Sequence, residues 1–93
     1  MNIYAVYNSR PKGYDICLSM VVYAEDENSA RLMHPDRDSI WNGREWVSND
    51  LFKTDNKVIN KQWDNPTNVI INYLGVATES VKSKVIMTAW RDG

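Results

Sequence analysis

The run His34-Pro35-Asp36-Arg37-Asp38 is the densest group of side chains able to do chemistry in this chain. A histidine can act as a general base, and aspartates can offer oxygen ligands to a hard cation. Two aspartates fall short of the six or so oxygens that Ca²⁺ takes, and a single histidine does not complete a zinc site. We therefore interpret this run as a helix C-terminus followed by a solvated turn, and we expect no metal or cofactor.

Cys17 is the only cysteine, and it lies within a β-rich run with no histidine nearby in sequence. One cysteine excludes an internal disulfide framework and suits a reducing compartment, and a buried thiol packs as a small apolar group. The sequence contains no Walker-type phosphate loop, dinucleotide-binding fingerprint or hydrolase nucleophile elbow. We predict a protein that is not an enzyme. The alternative is an acid–base site formed by His34 and a nearby carboxylate.

Tryptophan and arginine carry the strongest binding signal. The chain has four tryptophans and five tyrosines in 93 residues, with several arginines beside the aromatic residues. Aromatic rings can stack on a base while guanidinium groups hold phosphate. In the alternative, two of the tryptophans fill the core, and the same composition also fits a protein–protein hot spot. The predicted ligand-binding residues are His34, Arg37, Trp41, Arg44, Trp46, Trp90 and Arg91.

Length and charge limit the remaining possibilities. The chain is 43% hydrophobic and 25% charged, with a net charge of −1, and we expect residues 1–93 to form one domain. That charge disfavours a binder of duplex nucleic acid. No apolar run is long enough for a membrane span, and the N-terminus lacks the basic-then-apolar order of a signal peptide. A domain this small buries a modest share of its surface, so we expect a homo-oligomer or a bound ligand.

The elements that must position these residues begin with two strands. Residues 2–7 and 16–23 are rich in β-formers and flank a Pro- and Gly-containing turn, which predicts a hairpin. In the second strand, alternation puts a uniformly apolar set toward the core: Ile16, Leu18, Met20 and Val22.

A helix is predicted from about Asp26 to His34. Asp26 suits the N-cap, and Pro35 ends the helix because the residue before proline avoids the α region. Ala30, Leu32 and Met33 form a short apolar stripe that should pack on the sheet.

Residues 34–56 show no sustained periodicity, but they contain large apolar groups that need burial: Trp41, Trp46, Leu51 and Phe52. Short strands are possible near residues 45–47 and at 58–59. Residues 68–76 and 84–90 are again β-rich and predict a second hairpin. The predicted fold is α+β, a small antiparallel sheet of about four to five strands with one short helix packed on one face.

The order of these segments resembles a group of small uncharacterised proteins of bacteriophages and prophages. The resemblance rests on the strand and acidic helix start Met20–Arg31, on His34-Pro35, on spaced tryptophans, on Leu74-Gly75-Val76-Ala77, and on a closing strand before Gly93. The ending from Thr88 to Gly93 departs from that group, being larger and more charged. The resemblance implies a phage accessory protein in the host bacterial cytoplasm, often an inhibitor of host defence.

Three functions follow from these observations. The first is a non-catalytic protein that sequesters a cyclic or oligonucleotide immune signal in a site shared between two copies. The second is a protein–protein inhibitor of the anti-CRISPR type, in which acidic side chains imitate phosphates toward a host defence protein. These are Asp26, Glu27, Asp36, Asp38 and Asp50. The third is a minor structural component of the phage particle.

Overall fold

The described residues form two small antiparallel sheets and one short helix. In a computed structural model, the parts of the chain described are residues 1–9, 16–36, 39–49, 57–59, 62–78 and 82–91. The first sheet has the strand order β6-β1-β2-β7, with β1 Asn2–Tyr7, β2 Ile16–Ala24, β6 Ile70–Val76 and β7 Lys84–Arg91. The second has the order β3-β4-β5, with β3 Ser39–Trp41, β4 Trp46–Asn49 and β5 Lys57–Ile59.

The predicted first hairpin is confirmed. β1 and β2 pair antiparallel, with Asn2 opposite Ala24 and Tyr7 opposite Ser19. In β2, Ile16, Met20 and Val22 are buried as the alternation predicts, whereas Leu18 is only half-buried. The register between β2 and β7 shifts between Cys17 and Ser19, and Cys17 is fully buried as well. This irregularity of the β2–β7 ladder lies at the point where the strict alternation of buried residues fails.

The predicted second hairpin is wrong. β6 pairs with β1 and β7 pairs with β2, so the two late strands occupy opposite edges of the sheet. This arrangement gives each late strand a central strand to pack beside, and Ile71 of β6 and Val85 of β7 both pack against the common core. Pairing β6 with β7 would satisfy the same local β-propensity, which is why the sequence pattern alone does not choose between the two arrangements.

Helix α1 spans Glu27–Arg31 and is shorter than predicted. The predicted N-cap is confirmed, because the Asp26 carboxylate accepts a 2.7 Å hydrogen bond from the Ser29 N–H. The helix ends at Leu32, before Pro35, as the N–H groups of Leu32 and Met33 donate to carbonyls three residues back and tighten the last turn. Ala30 is buried, and the helix contacts β1, β2 and β6.

The core lies between the first sheet and the elements that cover one of its faces. Tyr4, Val6, Met20 and Val22 supply the sheet side of this core. The covering side is supplied by Ala30, Trp46, Trp63 and Val69, with Met33 and Trp41 partly buried against them. Leu32 departs from the predicted apolar stripe, because its side chain is 58% exposed.

The second sheet occupies much of the region that showed no periodicity. β3 and β4 form a hairpin with Trp41 opposite Trp46, and the short strands expected near residues 45–47 and 58–59 correspond to β4 and β5. The turn between β3 and β4 places Gly43 at a φ of 101°, a backbone conformation that suits glycine. Leu51 and Phe52, for which burial was predicted, lie outside the described residues.

Candidate functional site

Three of the predicted ligand-binding residues come together in one aromatic cluster. The rings of Trp41 and Trp46 meet edge to face with centroids 5.4 Å apart, and the His34 ring meets Trp46 in the same way at 4.9 Å. His34 is buried and Trp46 is only 2% exposed. The rings therefore pack on one another, and Trp46 has no free face on which a base could stack.

Hydrogen bonds through Asp64 hold the Trp46 end of this aromatic cluster. The Trp46 Nε1–H donates to the Asp64 carbonyl at 2.8 Å, and the Asp64 carboxylate accepts from the Ser9 hydroxyl and, at 2.7 Å, from the Asn65 N–H. Asp64 thus links the end of β1, the loop before β6 and the core tryptophan. Sequence reasoning missed Asp64, although the run Asp64-Asn65-Pro66 is typical of a turn.

His34 is fixed as a structural residue by its own turn. Its Nδ1 accepts a 2.8 Å hydrogen bond from the Asp36 N–H, which places the ring proton of the neutral histidine on Nε2. The Asp36 carbonyl accepts from the Ser39 N–H at 3.1 Å, and the Ser39 hydroxyl bonds to that of Ser48. With its Nδ1 lone pair engaged, His34 is poorly placed to take a proton there as a general base.

A groove lies beside this turn, between the end of the helix and the start of β7. It has a volume of about 430 Å³ and is open to solvent. Its walls combine apolar and polar groups: Leu32, Met33, His34, Asp36, Ser39, Ser83, Lys84 and Val85. Of the predicted ligand-binding residues that the structure describes, only His34 borders it. Sequence reasoning missed Lys84 because it stands at the start of a strand, 50 positions away from His34.

The other predicted residues are not assembled around this groove. Arg44 lies in the exposed β3–β4 turn, where the Asn42 side-chain oxygen accepts from its N–H at 2.9 Å. Trp90 is 38% exposed near the end of β7, and Arg91 is the last residue of that strand. At about 3.3 Å per residue, Trp90 is roughly 20 Å along β7 from Lys84. Arg37 lies outside the described residues.

Cys17 has the properties of a core residue. Burial raises the pKa of its thiol to about 11, although hydrogen bonds with the backbone of Ser19 and Ala89 act in the opposite direction. The reactive thiolate is therefore scarce at neutral pH, and the side chain has no exposed surface.

Neither a metal centre nor a membrane span is found in the described part of the chain. No three side chains among His, Cys, Asp and Glu there converge as metal ligands would. Within the same residues, no helix has the length and apolar character needed to cross a bilayer.

Comparisons with known proteins add no family. No protein-family model matches the chain, and no curated protein or solved structure does so either. The resemblance to small phage proteins therefore stays a prediction from the sequence motifs.

Proposed function

We propose that this chain is a non-catalytic phage accessory protein that acts in counter-defence by binding and sequestering a nucleotide immune signal in the host bacterial cytoplasm. The observation that carries the proposal is the groove beside His34, whose volume of about 430 Å³ is within the range of small-molecule sites. The ligand would then lie in this groove, on the surface that the buried tryptophans support, and not among the tryptophans themselves.

The groove offers complementary chemistry to the parts of a nucleotide. Leu32, Met33 and Val85 form an apolar wall against which a base can lie. The Lys84 ammonium supplies a positive charge for a phosphate. The Asp36 carboxylate borders the same groove and can accept a hydrogen bond from a base amino group.

The cluster of His34, Trp41 and Trp46 has a supporting role in this proposal. It anchors the turn that carries Asp36 and Ser39 to the core, so the groove wall is preorganised before ligand binding. Binding without turnover fits the engagement of His34 Nδ1 in a backbone hydrogen bond.

Thermal denaturation with candidate ligands tests the proposal. The panel contains cyclic di- and trinucleotides, linear oligoadenylates and signals derived from ADP-ribose. A ligand present at about 100 times its Kd stabilises the fold by about 2.7 kcal/mol, which raises the Tm of a domain this size by roughly 10 °C or more. A flat panel would reject the nucleotide proposal.

Two lysine variants locate the site. Lys84→Met removes the cation from the groove, and Lys82→Met removes an exposed lysine two positions earlier that does not border it. We expect the ligand-induced shift to disappear in K84M and to persist in K82M. Equal shifts in the two variants would place the ligand elsewhere.

A second candidate function is inhibition of a bacterial defence complex through protein–protein contact. It is favoured by large apolar side chains exposed on the edge strand β6, namely Tyr73, Leu74 and Val76. Of the acidic residues that prompted this hypothesis, Asp26 and Glu27 are exposed at the start of the helix and Asp36 is half-buried beside the groove. Asp38 and Asp50 lie outside the described residues. A pull-down from host lysate with the tagged chain tests this function. We expect it to recover a stoichiometric host protein, and we expect the Tyr73→Glu variant to recover none.

A further inference from the structure

The first sheet has a second face that no described element covers. The strand registers align three rows of residues across this face, which we name the open face. The rows are Ile70, Tyr7, Ser19 and Ala89; Asn72, Ala5, Val21 and Met87; and Gly75, Ile3, Tyr23 and Lys84.

The chemistry of the open face is unusual for a solvated sheet surface. An antiparallel sheet covered on one side normally alternates apolar residues inward with polar residues outward. Here the register contains a single charged residue, Lys84, at one corner where it borders the groove. Tyr7, Ile70 and Met87 are 40%, 53% and 63% exposed, respectively. Three large apolar side chains of this face are therefore exposed to solvent.

We propose that the open face is the interface of a homodimer, in which a second copy of this chain packs its own open face against the first. This inference rests on other observations than the nucleotide proposal, although Lys84 belongs both to a corner of the open face and to the groove. It assigns a surface to the homo-oligomer that the small size of the chain predicts.

The absence of charge favours a second copy as the occupant. Two identical faces repel each other wherever like charges meet, and this face has no acidic residue and only one basic residue, at its margin. A charged partner would need opposite charges on this face for specific recognition, and the central rows of the face offer none. A two-fold axis brings the same patch of each copy together.

The mixture of large and small side chains on the open face also fits self-association. Tyr7, Ile70 and Met87 are large, whereas Ser19 and Ala89 in the row of Tyr7 are small and at least partly exposed. Large side chains of one copy can enter the low positions of the other, as in β-sandwiches, whose sheets stack about 10 Å apart.

The area of the face predicts a weak dimer. Four strands about 4.8 Å apart and about five residues long at 3.4 Å each give roughly 300–350 Å² in projection. Two copies then bring together roughly 600–700 Å² before side-chain relief and the rim are counted. This projected area is below the roughly 1,000 Å² expected of a stable specific interface, so we expect a weak, transient dimer.

Sedimentation equilibrium of the full chain tests this inference. The protein concentration is varied from about 1 to about 500 µM, a range that covers a weak dimer. We expect a monomer–dimer equilibrium. Met87→Glu and Ile70→Glu place a charge on each lateral strand of the face and should each raise the dimer Kd at least about tenfold. Far-UV circular dichroism checks that both variants are folded, which we expect because both side chains are exposed in the single chain.

Tyr73→Glu is the matched control. Tyr73 lies on the same strand as Ile70 and is similarly exposed, but its register opposite Tyr4 places it on the covered side of the sheet. The variant should dimerise like the parent chain. A monomer at every concentration would overturn the inference. A dimer that survives both M87E and I70E would also overturn it, since the contact would then use another surface such as a sheet edge.

Discussion

Replacement of Trp46 by phenylalanine separates the core role of this residue from a ligand-binding role. The Trp46 ring is buried, contacts two other rings, and donates a 2.8 Å hydrogen bond to the Asp64 carbonyl. Phenylalanine keeps an aromatic ring but removes that donor and part of the ring volume. The variant should therefore lose stability even though no ligand is present.

The magnitude follows from two contributions. Loss of the donor costs about 1–2 kcal/mol, because the Asp64 carbonyl loses its partner in a site with little water. The smaller ring costs a further 1–2 kcal/mol or so in lost burial and incomplete packing. Domains of this size have a free energy of unfolding of about 5–15 kcal/mol, so a loss of about 2–4 kcal/mol is large.

Trp63→Phe is the control for this experiment. Trp63 is buried like Trp46, but its Nε1–H has no hydrogen-bond partner among the described residues. The substitution removes a similar volume and also an unsatisfied donor, so we expect a loss of less than about 1 kcal/mol. The difference between the two variants then combines the loss of the hydrogen bond to Asp64 in W46F with the removal of the unsatisfied Trp63 donor in W63F.

Urea denaturation followed by far-UV circular dichroism measures both variants, since this signal does not depend on the tryptophans being replaced. Protein concentration is held constant because self-association would shift the apparent stability. The m-value should stay unchanged, so that the midpoint alone reports the loss. If W46F and W63F lost equal stability, or if W46F lost less, the assignment of Trp46 to a hydrogen-bonded core position would be refuted.

Two further predictions concern titratable groups. Hydrogen bonds from the Ser29 N–H and hydroxyl lower the pKa of Asp26 below its ordinary value of 3.8. The ionised carboxylate therefore stabilises the fold above about pH 3.8, and this contribution is lost as the pH falls toward the lowered pKa. Asp26→Asn keeps a capping oxygen but should flatten the stability profile below about pH 4, and an unchanged acid limb in urea titrations at pH 2–6 would contradict this. Burial raises the pKa of the Cys17 thiol to about 11, so the native protein at pH 8 should react with a thiol reagent at less than about 1% of its rate in denaturant; comparable rates would contradict the buried position.

Local features of the fold were predictable because their causes lie within a few residues. Asp26 caps the helix through the Ser29 N–H three positions away, and β1 and β2 pair across a short connection. The helix length was not predictable to the residue, since Pro35 sets only an upper limit and the chain leaves the α conformation at Leu32.

The candidate site was predicted only in part. His34 borders the groove, and Trp41 and Trp46 support it from within, whereas the sequence pattern placed all three in direct contact with a ligand. Composition indicates that tryptophan is abundant, but burial of a particular ring depends on which elements cover it. Lys84 and Asp36 meet at one groove only because β7 lies at the edge beside β2.

The sequence by itself determined the β-rich character of the chain, the start of its helix and, with the exception of Leu18, the inward residues on β2, because periodicity and capping are short-range effects. Only the tertiary structure decided that β6 and β7 separate to opposite edges, that Trp46 is buried, and that no described element covers one face of the sheet. Those outcomes depend on which distant segments pair, and local propensity is nearly indifferent to that choice.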